Sequence, residues 1–124
     1  MAKILVVDDI APTRRLFAMR LQREGFDVVV AADGAEAVEL AISEQPSLIL
    51  MDMGLPIKDG WTATREIRAH CATSEIPIIA FTNYDGEKNN RRCLEAGCTS
   101  VQPKSLPFQQ LNELIKETLS GESA

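Results

Sequence analysis

Apolar residues in this chain fall into two kinds of run that alternate. Short stretches, "KILVV" at 3–7, "LILM" at 48–51 and "IPIIAF" at 76–81, are hydrophobic at nearly every position and bounded by turn-forming residues. Runs of that length without polar alternation predict strands covered on both faces, as in a parallel sheet. Between them lie longer segments whose apolar residues recur at three- and four-residue steps. The clearest stripe is Phe108, Leu111, Leu114, Ile115 and Leu119, which predicts a helix starting near Pro107.

In chain order the pattern predicts strands at 3–9, 26–31, 48–52, 76–82 and, short and weak, 99–103. The first helix spans 11–25, with Pro12 tolerated in its opening turn and Gly25 as its stop. The second opens at Asp33–Gly34 and shows Val38, Ala41 and Ile42 on one face. Trp61, Thr64 and Ile67 mark a third that reaches about Cys71, and a polar fourth runs over 86–96 until Gly97. Five strands alternating with five helices make an α/β fold, a single doubly wound five-stranded parallel sheet with helices on both faces. No interior linker or repeat breaks the rhythm, so the chain reads as one domain over 1–120 and a polar tail over 121–124.

Right-handed crossovers bring every strand's carboxyl end to one edge, where parallel sheets bind ligands. Read in order, those ends carry Asp8 and Asp9, then Asp52, then Thr82, then Lys104 just past strand five. If strand two lies outside strand one, the three carboxylates flank the point where the chain reverses. Carboxylates so close repel unless a cation intervenes. An oxygen-only donor set suits Mg²⁺, and a lysine with a hydroxyl opposite suits a phosphoryl group. Asp52, alone at the tip of the central strand, is the better nucleophile, and the Asp8–Asp9 pair the better metal holder.

Composition narrows the alternatives. A net charge of -5 over 124 residues argues against nucleic acid as a direct partner, and the pairs Arg14–Arg15 and Arg91–Arg92 are too short to reverse that. Three cysteines without CxxC spacing and one histidine make zinc improbable; Cys71, Cys93 and Cys98 read as small buried or half-buried thiols. The N-terminus goes straight into a strand, and no apolar run approaches the roughly 18 residues of a membrane span. The expected setting is the cytoplasm, with no membrane partner. His70 reads as an exposed residue near a helix end and Trp61 as packing.

Together, "ILVVDD", "LILMDMGLPIKDGW", "IPIIAFT", "CLEAG" and Lys104 seven residues after Gly97 resemble a response-regulator receiver domain of two-component signalling, over nearly the whole chain. The resemblance implies a flavodoxin-like sheet in the order 2-1-3-4-5. It implies that Asp52 accepts a phosphoryl group from the phosphohistidine of a histidine kinase or histidine phosphotransfer protein. Asp9, Asp52 and the backbone carbonyl of Gly54 would bind Mg²⁺, with Asp8 acting mostly through water, while Thr82 and Lys104 would hold the phosphoryl oxygens. Phosphorylation would then shift the face made by helix 4, strand 5 and helix 5 toward a downstream protein. Such a phosphoprotein assists its own phosphorylation and dephosphorylation and turns over no separate substrate.

Rivals fit less well. A phosphatase of the haloacid dehalogenase type wants Asp-x-Asp after strand one, and a flavodoxin wants a Ser/Thr/Gly-rich loop where "DDIAPTR" stands. The alternative is a degenerate receiver, a protein-interaction module independent of phosphorylation. Three departures from the family pattern bear on it. Ser105 replaces the usual proline after Lys104, which predicts a trans bond and a displaced lysine. Asn83 follows Thr82 where a small residue is usual, and Val101 stands where a switch aromatic is common. Asn83 and Tyr84 would also cover one approach to the acyl phosphate.

Overall fold

Successive side chains of a strand face opposite ways, so a strand apolar throughout must be covered twice. A computed structural model of the chain, which describes residues 2–83 and 86–121, shows that covering. The elements run β1 (Lys3–Val7), α1 (Ala11–Arg23), β2 (Asp27–Ala31), α2 (Gly34–Glu44), β3 (Leu48–Met51), α3 (Gly60–Ala69), β4 (Ile78–Thr82), α4 (Glu87–Ala96), β5 (Ser100–Pro103) and α5 (Phe108–Ser120). All strand pairs are parallel, and the order is β2-β1-β3-β4-β5, as the resemblance implies.

The pleat sorts each strand's residues into two cores. Leu5, Val7, Ile49, Met51, Ile78 and Ala80 pack with Ala37 and Ala41 of α2, Trp61 and Ile67 of α3, and Cys93 and Ala96 of α4. Ile4, Val6, Leu48, Leu50, Ile79 and Phe81 pack with Leu21 of α1 and with Leu111 and Ile115 of α5. Phe17 of α1 meets Phe81 edge-on, ring centroids 5.0 Å apart. The small residues of the first core let three helices approach the sheet closely.

Two expectations are corrected. The third helix stops at Ala69 rather than near Cys71, because His70 turns to extended backbone and the Thr73 hydroxyl donates to the Ile67 carbonyl at 2.6 Å. Cys71, expected to be buried or half-buried, is exposed in the turn this creates; Cys93 and Cys98 are buried as expected. Arg68 holds the same corner, donating to the carbonyls of Gly97, Ser74 and Ile76. Burial of Cys98 pushes its thiol up to about 12, which leaves it protonated and inert at neutral pH.

The fold places the acidic residues by continuing the ladder beyond the strands. Asp8 donates its N–H to Ala31 at 3.1 Å, and Asp52 donates to Val7 at 3.0 Å. Behind Asp52, the Gly60 N–H donates to the Met53 carbonyl at 2.8 Å, and Asp59 caps α3 by accepting from Thr62 at 2.7 Å. Gly60 sits so close that an added Cβ would overlap the carbonyl oxygen of Asp52 and the Cα of Met53. Both are backbone atoms with little room to give. Gly60→Ala is therefore expected to lower the unfolding free energy by about 1–3 kcal/mol, as overpacking does. Urea denaturation measures this, and an unchanged midpoint would show that the contact relaxes freely.

Candidate functional site

Asp52 follows the last residue of β3 and Asp8 the last residue of β1, so two carboxylates emerge side by side at the sheet's carboxyl edge. Both are buried, whereas Asp9 is exposed. Among the described residues, ligand oxygens of Asp8, Asp9 and Asp52 lie within 4.8 Å of one another. Such a group of acids demands positive charge.

Lys104 supplies it. Its backbone N–H donates to the Thr82 carbonyl at 3.1 Å, which fixes the residue at the end of β4 and β5. From there Nζ reaches back to Asp52 Oδ2 at 2.9 Å and Asp8 Oδ2 at 3.0 Å. The three side chains are only 12%, 9% and 5% exposed, so little water screens the pairing. Burial alone would lower the lysine's pKa, but its hydrogen bonds with Asp52 and Asp8 and their charges raise it overall. A raised folded value means the stabilisation is complete at neutral pH and is lost only as pH climbs through that value. The Lys104–Ser105 bond is trans, as expected, since the described residues contain no cis peptide. Across this trans bond the flexible four-carbon stem of Lys104 brings its ammonium to both carboxylates.

The remaining predicted residues gather at the same edge. Thr82, 1% exposed, ends β4 beside β3. Asn83 is exposed, and Tyr84 lies outside the described residues, as do residues 122–124 of the predicted tail. Val101 is half-buried against the first core, paired in register with Ala80. Gly54 is exposed two residues beyond Asp52. The loop then tightens into a γ-turn, where Lys58 donates to Pro56 at 2.7 Å and Ile57 takes φ +68. A β-branched residue with positive φ is strained, and strain of this kind concentrates at functional loops.

Supporting groups escaped the sequence reading. Asp8 Oδ1 accepts the Ile10 N–H at 2.9 Å, and Arg14 Nη1 donates to the Asp8 carbonyl at 2.8 Å. These bonds fix the turn between β1 and α1. The only signal in the sequence is the Arg14–Arg15 pair soon after the acids, too short to mean anything alone. His70 is exposed after α3, and Trp61 is buried in the first core, both as expected.

The donor set fits a hard divalent cation. All three side chains offer oxygen, and the exposed Asp9 leaves one flank open for the waters such an ion keeps. Both Asp8 oxygens already accept hydrogen bonds, and Asp52 Oδ2 accepts one, which leaves Asp9 as the freest carboxylate.

Comparison with known proteins agrees with this geometry. The chain is 33% identical to the receiver domain of sensor histidine kinase PA1611 from Pseudomonas aeruginosa PAO1, a structure with a magnesium ion coordinated in the active-site cleft; the match covers 96% of this chain and 98% of that one, with a TM-score of 0.89. It is also 33% identical to the BeF3-activated N-terminal receiver domain of RstA from Klebsiella pneumoniae, over 94% of this chain and 97% of that one, with a TM-score of 0.88. The chemotaxis protein CheY4 of Vibrio cholerae matches at 26% identity over 94% and 98%, with a TM-score of 0.89. The family model described as the response regulator receiver domain matches residues 4–116, and the chain belongs to that family, the receiver domains of two-component systems.

Proposed function

We propose that this domain is a phosphorelay receiver whose acceptor is Asp52, loaded from the phosphohistidine of a histidine kinase or histidine phosphotransfer protein in the cytoplasm. The observation that carries this reading is Lys104, whose ammonium joins the carboxylates of β1 and β3 in one buried pairing. A receiver with magnesium in its cleft and another activated by beryllofluoride support it by likeness.

The residues divide the work. An Asp52 oxygen attacks phosphorus, an O–P bond forms, the P–N bond to the donor imidazole breaks, and that imidazole leaves with the N–P electron pair. Asp9, Asp52 and the Gly54 carbonyl would hold Mg²⁺, whose charge offsets that of the phosphoryl oxygens. Asp8, both of whose oxygens already accept hydrogen bonds, would act on the ion mostly through water. Lys104 exchanges its bond to Asp52 for one to a phosphoryl oxygen, and the Thr82 hydroxyl donates to another. The chain assists its own phosphorylation and hydrolysis and turns over no separate substrate. The face formed by α4, β5 and α5 then meets a downstream protein. The net charge of -5 makes neither nucleic acid nor an anionic membrane a fitting direct partner.

Acetyl phosphate with Mg²⁺ should add one phosphoryl mass to the intact protein, and Asp52→Asn should abolish it. Excess chelator should stop labelling, and Asp9→Ala should lose more of the metal dependence than Asp8→Ala. Labelling of Asp52→Asn, or equal rates in chelator, would contradict the assignment.

Switching is expected to be partial. Thr82's bond to a charged oxygen is worth about 1.5–3 kcal/mol, whereas moving a two-state equilibrium from 1:99 to 99:1 takes about 5.5 kcal/mol. Val101 adds little, being short and stiff about χ1. A partner preferring the active state supplies the difference. With Mg²⁺ and beryllofluoride, amides between Thr82 and Val101 should show intermediate or exchange-broadened NMR signals. Sharp, fully displaced signals from the isolated domain would mean that the switch completes unaided.

A further inference from the structure

The helix nearest the switch is held to the body by few buried groups. Of α4, "EKNNRRCLEA", only Cys93 and Ala96 are buried, and both are small. Its N-cap, Gly86, contributes no side-chain hydrogen bond. The exposed Arg92 adds a different tie: its guanidinium carbon lies 3.7 Å from the centroid of the Trp61 ring. That is well inside the range of a cation–π contact.

Trp61 is no ordinary anchor point. It follows Gly60, the residue packed against the backbone of Asp52, and stands two residues after the α3 cap Asp59. Burial tends to raise the Asp59 carboxyl, but the hydrogen bonds from Thr62 and then the charges of Arg92 and Arg65 bring it below the usual range. Arg92 thus stacks on the indole and attracts the cap beside it. The chain meanwhile reaches α4 within five residues of Thr82. So α4 is joined by sequence to the hydroxyl of the site and by the stack to the junction behind the acceptor. Strand five offers no ring of its own, since Val101 stands there.

We propose that the Arg92–Trp61 stack is a resting-state latch on α4, opposed to phosphorylation: engaged when Asp52 is unmodified and released as Thr82 and α4 rearrange. The idea rests on the receiver reading and adds to it a coupling through α3 that does not use strand five. Because a ligand and a latch that favour opposite states compete, the latch lowers the population ready to accept phosphoryl. Removing it should make the acceptor easier to load, the reverse of what loss of a purely structural contact would do.

Trp61 is the single tryptophan of the chain, so its emission reports the stack directly. Wild type, Arg92→Gln and Arg92→Lys would each be titrated with beryllofluoride and Mg²⁺. The ¹⁹F NMR signal of bound beryllofluoride would report occupancy independently of the indole. Wild-type emission should shift as the bound ¹⁹F signal grows. Arg92→Gln should start at the shifted position and change little, and acetyl phosphate should label it roughly two- to ten-fold faster than wild type. Arg92→Lys, which keeps the charge but not the planar stack, should fall between. Bound fluoride with unmoved wild-type emission, or Arg92→Gln labelling at or below the wild-type rate, would overturn the latch and leave the receiver reading standing. Absence of any bound fluoride signal would overturn both.

Discussion

The ammonium of Lys104, held between Asp52 at 2.9 Å and Asp8 at 3.0 Å, ties the ends of β1, β3 and β5 into one electrostatic unit. Buried carboxylates at this density are tolerable only with a cation among them. The rest of the fold serves that requirement. The order β2-β1-β3-β4-β5 sets the two acid-bearing strands side by side, and β4 spans the distance to the lysine. On the function proposed above, the lysine that neutralises carboxylates in the resting state would turn to a phosphoryl group. Resting pairing and proposed catalysis are two uses of one charge.

Around that unit the packing is uneven in a way that suits a switch. β1, β3 and β4 are buried almost completely between two cores, so Asp52 and its neighbours stand on a rigid base. α4 and β5 are held more lightly: α4 buries only two small side chains, beside the Arg92–Trp61 stack, and β5 residues are at most half-buried. Elements with few buried apolar contacts open at lower free energy than the core. Thr82 lies at the boundary between the firm and the loose parts, where a new hydrogen bond has most leverage.

Much of this was legible in the sequence because it follows from short-range rules. Apolar runs ending in Asp8 and Asp52 announced buried strands with acids at their tips, and the helical stripe of α5 needed only its periodicity. Strand order came from family resemblance, since no periodicity specifies which strands adjoin. Other features depend on what folding brings together. The end of α3 is decided by the Thr73 hydroxyl reaching the Ile67 carbonyl, and that end leaves Cys71 exposed. The serine after Lys104 marked a trans bond in the sequence, but the pairing of the lysine with two carboxylates distant in the chain became visible only in the fold. Arg14 and Arg92 read as surface charge because their partners, the Asp8 carbonyl and the Trp61 ring, are distant or unmarked in the sequence.

The central claim is that Lys104 is the internal counter-ion of the acidic cluster, in the place that, on the proposed function, a divalent metal and a phosphoryl group would share. Urea unfolding of wild type and Lys104→Met, each in chelator and in saturating Mg²⁺, tests it most directly. In chelator the variant should be less stable by about 1–3 kcal/mol, the cost of leaving buried charged groups without their partner. Mg²⁺ should recover part of that loss and stabilise the variant more than the wild type. Equal stability of the two proteins in chelator, with no larger response of the variant to Mg²⁺, would contradict the account.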